Sequence, residues 1–131
     1  MQHEMLAILD FGSQFSQLIC RRIRDCGVYA ELFPNDVSSD ELFSHNIKGI
    51  ILSGGPSSVY ENAAPKLHDS ISQRLNDLPI PILGICYGMQ LLVHEFGGKV
   101  FKSEKREFGF AEILIDKCDG IFLSFKEEQR V

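Results

Sequence analysis

The sequence has no surplus of basic residues. Among its 131 residues, 13 are Lys or Arg and 18 are Asp or Glu, which gives a formal net charge of -5 at pH 7. A protein that binds nucleic acid usually carries a basic stripe that follows the phosphate backbone, and the sequence contains no such stripe. We therefore expect no nucleic-acid partner.

Long hydrophobic runs are also missing. The apolar run from Ile80 to Cys86 is far shorter than the roughly 20 residues that cross a bilayer, and Met1–Glu4 lacks the basic start of an export signal. We expect no membrane-spanning segment and no membrane partner. The expected location is the cytoplasm.

Cysteine is present, but not in a pattern that binds a metal or forms disulfide pairs. No C-x-x-C and no Cys/His ligand spacing connects the four cysteines, which are Cys20, Cys26, Cys86 and Cys118. The sequence therefore predicts no metal site, and free thiols suit a reducing compartment.

Length and composition indicate one folded domain. The chain has 44% hydrophobic and 24% charged residues, a composition typical of globular proteins. Its 131 residues are fewer than the roughly 150 of an ordinary domain. We expect a single domain over residues 1–131, with a parallel βα part at about 5–98 and an antiparallel arm at about 99–131.

Strands and helices are expected to alternate through most of the chain. Apolar runs predict four strands, at Met5–Phe11, Tyr29–Phe33, Lys48–Ser53 and Ile82–Ile85. Helical spacing and end signals predict helices from the Ser13 cap to Gly27, from Ser38, over Pro65–Asn76, and over Tyr87–Phe96 before Gly97-Gly98. In the arm, short strands are expected at Val100–Ser103 and Ala111–Ile115, joined by Glu104–Gly109.

This alternation predicts the α/β class. Repeated βα units with right-handed crossovers give a doubly wound, mainly parallel sheet with helices on both faces. Ligands of such folds bind beyond the carboxyl ends of the strands. Residues that follow the strands are therefore the candidates for a functional site.

A nucleophile motif lies between the fourth strand and the last helix. Gly84-Ile85-Cys86-Tyr87-Gly88 is the cysteine counterpart of the nucleophile elbow, in which small flanking residues allow a sharp, strained turn. At the first turn of a helix, Cys86 would face the positive end of the helix dipole, which stabilises a thiolate. We therefore predict that Cys86 is a reactive nucleophile.

Backbone donors for a tetrahedral oxyanion are available nearby. One is the N–H of Tyr87, directly after the nucleophile. The other source is the loop Ser53-Gly54-Gly55-Pro56, whose glycines allow the backbone to approach a ligand closely. The pairing of this loop with the elbow predicts an oxyanion hole.

Three ordered motifs resemble those of the class I (triad) glutamine amidotransferases. They are Asp10-Phe11-Gly12-Ser13-Gln14, Leu52-Ser53-Gly54-Gly55-Pro56-Ser57-Ser58-Val59, and Gly84-Ile85-Cys86-Tyr87-Gly88-Met89-Gln90. The segment Arg106–Ala111 resembles a variant of the arm that follows the elbow helix in this family. The resemblance implies a flavodoxin-like fold.

The resemblance also implies a reaction and a set of site residues. Cys86 would attack the side-chain amide of glutamine and release ammonia, leaving a glutamyl thioester that water hydrolyses. The N–H groups of Gly55 and Tyr87 would form the oxyanion hole, and Gln90 with the Pro56-Ser57 loop would hold the substrate. The ammonia would pass to a synthetase domain that binds ATP and magnesium, whereas no cofactor is expected in the amidotransferase domain.

The sequence offers no histidine to act as acid and base for Cys86. None is suitably placed among His3, His45, His68 and His94; the last lies eight residues after Cys86 on one helix, about 12 Å along its axis. In the resembling family the His and its Glu partner come later in the chain. We therefore expect an N-terminal fragment that lacks the C-terminal part, with little turnover of its own but an alkylatable Cys86.

Two other interpretations remain open. A cysteine peptidase or deglycase also has a cysteine between strand and helix, although such enzymes carry a histidine next to it where this sequence has Tyr87. A non-catalytic module would keep the pocket and bind glutamine or a partner domain. A truncated sheet would expose an apolar edge and face, from which homo-oligomerisation is expected.

Overall fold

The computed structural model of the chain describes residues 3–57, 59, 61–102, 112–114, 119–124 and 128–130. They fall in two compact units, Met1–Phe101 and Lys102–Val131. The predicted connection Glu104–Gly109, the Arg106–Ala111 segment and Cys118 lie outside the described residues. No helix in the described ranges is long and apolar enough to cross a membrane.

The first unit is built on a four-stranded parallel sheet. Its strands are β1 (Met5–Asp10), β2 (Ala30–Pro34), β3 (Ile47–Leu52) and β4 (Ile82–Gly84), in the order β2-β1-β3-β4. Its helices are α1 (Ser16–Asp25), α2 (Ser39–Leu42), α3 (Asp69–Ser72) and α4 (Tyr87–Glu95). The four strands are those that the sequence predicted, with ends displaced by one residue.

Helices cover both faces of this sheet. Because side chains alternate along a strand, Ile8 of β1 packs with Cys20 of α1 on one face. Its neighbours Ala7 and Leu9 join Leu42, Ile71 and Leu91 on the other face, which places α2, α3 and α4 there. The predicted doubly wound α/β class is confirmed, and the order β2-β1-β3-β4 is that of the flavodoxin-like folds.

The predicted helix over Pro65–Asn76 is wrong in its extent. The structure has the short helix α3 and a 3₁₀ turn at Leu75–Asp77. His68 lies in extended conformation before α3, and its Nδ1 accepts the Ser70 backbone N–H at 3.1 Å, so the helix begins only there. The apolar positions Leu67, Ile71 and Leu75 are nevertheless all buried, as their helical spacing indicated.

The prediction of Ser13 as the helix cap is also wrong. Phe15 occupies the cap position of α1, without a side-chain bond. The Ser13 hydroxyl instead accepts the backbone N–H of Phe15 at 3.0 Å and closes a tight turn before the helix. By contrast, the Ser38 hydroxyl caps α2 by accepting the Glu41 N–H.

The second unit contains a two-stranded antiparallel ladder. Strand β5 (Glu112–Leu114) pairs with strand β6 (Glu128–Arg130), with Ile113 opposite Gln129. The β5 strand falls within the predicted Ala111–Ile115. The predicted strand over Val100–Ser103 is wrong where the structure describes it, because residues 100–102 have no strand partner in the described ranges.

Candidate functional site

The site is a cleft at the carboxyl edge of the parallel sheet. The loops after β1, β3 and β4 meet there, because parallel strands end at the same edge. The cleft has a volume of about 400 Å³ and is lined by Gly12, Ser13, Gln14, Phe15, Gly54, Gly55, Pro56 and Cys86. It lies at the switch point between β1 and β3, where the chain crosses from one face of the sheet to the other.

Cys86 occupies the strained turn that the elbow motif predicted. Its backbone has φ 53 and ψ -114 and directly precedes α4. It is the one residue other than glycine with a positive φ in the described part of the chain. Such a conformation costs of order 1–3 kcal/mol and persists only where the surrounding structure holds it.

Close packing explains why glycine stands on both sides of Cys86. A Cβ on Gly84 would lie 2.7 Å from the backbone nitrogen of Met89, and a Cβ on Gly88 would lie 2.6 Å from the carbonyl carbon of Leu52. Both distances are far below van der Waals contact. The first turn of α4 is therefore pressed onto the ends of β3 and β4, which forces the tight turn at Cys86.

The two glycines after β3 are also closely packed, Gly55 more tightly than Gly54. A Cβ on Gly54 would lie 3.3 Å from Cys86 Cβ and 3.9 Å from its sulfur. A Cβ on Gly55 would overlap the Phe11 carbonyl oxygen. The Gly54-Gly55 backbone is thus pressed between the elbow and the loop after β1, directly beside the thiol.

The two N–H groups predicted to form the oxyanion hole have no acceptor in the part of the chain that the structure describes. Among the described residues, none accepts a hydrogen bond from the backbone N–H of Gly55 or of Tyr87. The Tyr87 N–H belongs to the first turn of α4, where helix N–H groups have no partner within the helix. Free N–H groups beside a thiol can bind the negative oxygen that forms when the thiol attacks a carbonyl.

The buried Tyr87 side chain holds the elbow in place. It is 2% exposed, its hydroxyl donates a hydrogen bond to the Pro65 carbonyl oxygen at 2.5 Å, and its ring centroid lies 5.5 Å from that of Phe11. Burial, followed by the charges of Glu61 and Glu95, raises the pKa of the Tyr87 phenol above its ordinary value. The sequence motif indicated a role only for the backbone of Tyr87, so this anchor was missed.

The loop after β1 forms the other side of the cleft. Asp10 braces it, because its Oδ1 accepts the Gly12 backbone N–H at 2.9 Å and the Ser16 hydroxyl at 3.0 Å. Asp10 thus holds the loop to the start of α1. Sequence reasoning did not identify Gly12, Ser13, Gln14 and Phe15 as lining residues, although the rule that ligands bind at the switch point would have indicated them.

The described residues that line the cleft do not include Gln90 or Ser57. The Gln90 side-chain oxygen accepts the Val59 backbone N–H at 3.3 Å and so ties the loop after β3 to α4. Ser57 is half-buried in that loop, next to Pro56, which does line the cleft. The substrate-binding roles of Gln90 and Ser57 stay predictions.

All four histidines fall among the described residues, and none of them lines the cleft. His45 packs edge-on against Phe33 before β3, His68 caps α3, and His94 lies in the last turn of α4. In the described ranges, no group of three or more His, Cys, Asp or Glu could hold a metal ion.

Two other described cysteines lie away from the cleft. The Cys20 thiol is buried and donates to the Ala30 carbonyl oxygen at 3.3 Å, and Cys26 is exposed after α1. The exposed thiol of Cys26 is therefore a natural reference for the reactivity of Cys86.

Comparisons with known proteins agree with this geometry. The chain is 55% identical over 122 residues to the GMP synthase [glutamine-hydrolyzing] of Brachyspira hyodysenteriae, which covers 93% of this chain and 23% of that protein. It is 50% identical over 129 residues to the enzyme of the same name from Bacillus velezensis, covering 98% and 24%. The chain thus spans about a quarter of the length of these relatives.

A solved structure has the same fold. The crystal structure of a protein described as a GMP synthase subunit, from Thermoplasma acidophilum, matches with a TM-score of 0.79 and 31% identity, covering 100% of this chain and 64% of that one. The family model of class I glutamine amidotransferases matches residues 7–131. The chain therefore belongs to the class I glutamine amidotransferase family.

Proposed function

We propose that this chain carries the nucleophile and the oxyanion donors of a glutamine-hydrolysing site. Cys86 would attack the side-chain carboxamide of a glutamine bound in the cleft. The N–H groups of Gly55 and Tyr87 would bind the oxyanion, and Pro56, Ser57 and Gln90 would help to hold the substrate. The observation that carries the proposal is the positive φ of Cys86, which lines the cleft together with Gly54 and Gly55.

The proposed reaction proceeds in two steps. The Cys86 thiolate adds to the carboxamide carbon, and the resulting tetrahedral oxyanion collapses, breaking the C–N bond. The nitrogen takes up a proton and leaves as ammonia, which yields a γ-glutamyl thioester on Cys86. Water then adds to the thioester, glutamate leaves, and the thiol is regenerated.

The described residues that line the cleft include no candidate for the general acid and base of these steps. Ammonia has to be protonated to leave, which normally requires a histidine near the thiol. Since none of the four histidines lines the cleft within the described residues, we expect Cys86 to be alkylated by a reactive glutamine analogue but the chain to turn over glutamine very slowly. Ammonia release at the rate of a complete amidotransferase would contradict this expectation.

We further propose that the ammonia serves a GMP synthase. This extension rests on the names of the relatives, of whose length the chain spans about a quarter. In such an enzyme, ammonia would convert xanthosine monophosphate to GMP in a synthetase domain, to which we assign the ATP and magnesium. Free thiols at Cys20, Cys26 and Cys86 suit a reducing compartment and support a cytoplasmic location.

The covalent step can be tested with 6-diazo-5-oxo-L-norleucine, a glutamine analogue that alkylates the thiol which attacks it. Intact-mass spectrometry and peptide mapping after incubation should find one adduct, on Cys86. The exposed Cys26 is the internal reference, and iodoacetamide, which needs no glutamine pocket, should modify both thiols. Cys86→Ala should abolish the adduct of the glutamine analogue, whereas Cys26→Ala should leave it unchanged.

Two results would count against the proposal. A folded wild-type chain that gains no adduct would mean that the described cleft does not bring a glutamine analogue to Cys86. Equal labelling of Cys26 and Cys86 would mean that the analogue reacts with any exposed thiol.

A second candidate is a module that binds glutamine without hydrolysing it. The absence of a histidine from the described lining of the cleft favours it. Calorimetric binding of L-glutamine to Cys86→Ala, together with no adduct on the wild-type chain, would support this candidate instead.

A further inference from the structure

A buried chain of polar side chains connects the two loops that form the sides of the cleft. Asp10 ends β1, Ser16 begins α1 and Ser53 directly follows β3. Ser16 is 1% exposed and Ser53 is 0% exposed. The Ser16 hydroxyl oxygen lies 3.0 Å from Asp10 Oδ1 and 2.8 Å from the Ser53 hydroxyl oxygen. The three side chains therefore form one continuous hydrogen-bonded network.

The number of hydroxyl protons decides which group donates each hydrogen bond of this network. The two hydroxyls have one proton each, but four contacts would use one, since Ser53 Oγ also lies 2.9 Å from the Leu9 carbonyl oxygen and 3.4 Å from that of Gly54. Ser16 donates its proton to Asp10 Oδ1. Ser53 then donates to Ser16, because otherwise two oxygens would face each other at 2.8 Å without a proton between them.

The Leu9 carbonyl does not lose its partner in this arrangement. It accepts the backbone N–H of Ser53 at 3.1 Å. The hydroxyl protons therefore point from Ser53 to Ser16 and from Ser16 to Asp10. Ser16 is the central member, since it is both the acceptor for Ser53 and a donor to Asp10.

The network ends at Ser53, two residues before Gly55, which is one of the two proposed oxyanion donors. Ser53 precedes Gly54, which faces the Cys86 side chain, and Gly55 follows. Two consecutive glycines have wide conformational freedom, and no described residue accepts a hydrogen bond from the Gly55 N–H. The orientation of this backbone therefore depends on its packing and on how firmly Ser53 is held.

The hydroxyl of Ser16 is not a helix cap. Phe15 occupies the cap position, and the partners of the Ser16 hydroxyl are the side chains of Asp10 and Ser53. Asp10 also accepts the Gly12 N–H, so the same network holds the loop on the opposite side of the cleft. The network thus lies between the two loops, and α1 does not need the Ser16 hydroxyl in order to begin.

We propose that Ser16 is a positioning residue for the oxyanion donor at Gly55. Its hydroxyl holds Ser53 and thereby fixes the backbone at Gly54 and Gly55 relative to Cys86. The proposal rests on the proposed function, since it concerns the same site. Without the Ser16 hydroxyl, the Ser53 proton turns to the Leu9 carbonyl, and the tie between β3 and α1 is lost.

The test uses Ser16→Ala and Ser16→Thr, with Ser39→Ala as a matched control. Ser39 is also a buried serine with a hydrogen-bonded hydroxyl, but its partner is Arg74 and it does not line the cleft. One readout is the inactivation of Cys86 by 6-diazo-5-oxo-L-norleucine, separated into the limiting rate and the half-saturating concentration. The other is the ¹⁵N NMR order parameter of the Gly54 and Gly55 amides, which reports the rigidity of this backbone and needs no glutamine chemistry.

Ser16→Ala should lower the limiting rate about tenfold, because a small misplacement of a catalytic group has effects of that order or larger, with little change in the half-saturating concentration. The order parameters of the Gly54 and Gly55 amides should fall. Ser16→Thr, which keeps the hydroxyl, should restore both properties, and Ser39→Ala should change neither. If Ser16→Ala does not fold, Ser53→Ala removes the same contact from the β3 side and should give the same two changes.

The positioning role is overturned if folded Ser16→Ala has the limiting rate of the wild type and the same order parameters at Gly54 and Gly55. It is also overturned if Ser39→Ala slows the reaction equally, since the effect would then follow from general stability. Absence of any adduct on the wild-type chain overturns the proposed function instead, and the order parameters still decide the role of Ser16.

Discussion

Two strand-to-helix junctions deliver groups to the same cleft, but they are built differently. Between β1 and α1 lie residues 11–15, whose turn is held by hydrogen bonds to the side chains of Asp10 and Ser13. Between β4 and α4 lie only Ile85 and Cys86. That second turn has no side-chain cap, and steric fit around two glycines holds it.

The difference follows from what each junction has to present. The first presents backbone and side chains of a lining loop, which polar bonds can hold at little strain. The second has to expose a thiol at the start of a helix, and this requires the positive φ of Cys86. We therefore expect the first junction to be sensitive to the loss of polar groups and the second to the addition of even one carbon atom.

The largest effect is expected from Gly88→Ala. Alanine normally favours a helix over glycine by about 1 kcal/mol, but here the new Cβ would lie 2.6 Å from the Leu52 carbonyl carbon. We expect a loss of about 3 kcal/mol or more in the free energy of unfolding, measured by urea denaturation.

Gly27→Ala is the control for this steric effect. Gly27 has φ 82 but no atom within 4 Å of its would-be Cβ, so the substitution tests backbone strain alone. We expect it to cost about 1 kcal/mol. If Gly88→Ala were no worse than Gly27→Ala, steric fit would not be what holds the second junction.

We expect Cys86→Gly to be more stable than Cys86→Ala, which is the reverse of the usual order for these two residues. Both variants lack the thiol, but only glycine relieves the positive φ. We expect the glycine variant to be more stable by about 1 kcal/mol or more in thermal or urea unfolding. At an unstrained position alanine is the more stable of the two, and that result here would mean that Cys86 is not strained.

A moderate effect is expected from Asp10→Ala at the first junction. The change removes the acceptor for the Gly12 N–H and for the Ser16 hydroxyl, and a buried donor is left without its partner. We expect a cost of about 1–2 kcal/mol, measured by urea denaturation. Asp10→Asn keeps an acceptor oxygen and should recover part of the loss; equal costs for the two variants would show that the charge, and not the hydrogen bond, matters.

The smallest expected effect is a loss of stability at alkaline pH that comes from the Tyr87 phenol. Burial raises its pKa above the ordinary 10.0, so the folded chain holds the phenol proton more tightly than the unfolded chain. The resulting stability is present below about pH 10 and is lost as the pH rises through the folded pKa. The free energy of unfolding of Tyr87→Phe, measured by urea denaturation, should fall less steeply above pH 10 than that of the wild type.

Tyr29 does not disturb that comparison. Its pKa is also raised, chiefly by its hydrogen bond to Glu31, but it is present in both chains and cancels in the difference. Identical pH profiles for the wild type and Tyr87→Phe would show that the phenol does not ionise differently in the folded chain.

The sequence predicted the parallel sheet and the elbow because both leave strong local patterns. Apolar runs marked β1 to β4 within a residue, and Gly84 and Gly88 predicted a turn whose strain is present at Cys86. The extent of α3 could not be predicted, because the His68 ring that begins it acts through a polar contact that helical spacing does not reveal.

The network around Ser16 left no pattern in the sequence. Ser16 and Ser53 are 37 positions apart and meet only because β1, β3 and α1 pack together. A serine in an amphipathic helix usually faces solvent, and burial is what gives this one a role. The cleft residues Gly12–Phe15 follow β1 at the edge where ligands bind, and the strand order, with β1 beside β3, adds that their loop faces Cys86.

The most direct test of a glutamine site at this cleft is protection of Cys86 by glutamine. Iodoacetamide alkylation of Cys86 and Cys26 is followed by mass spectrometry with increasing L-glutamine, and with D-glutamine as the control. We predict saturable protection of Cys86 by the L enantiomer alone and no protection of Cys26. Alkylation of Cys86 at the same rate with and without L-glutamine would contradict the claim that this thiol lies in a glutamine site.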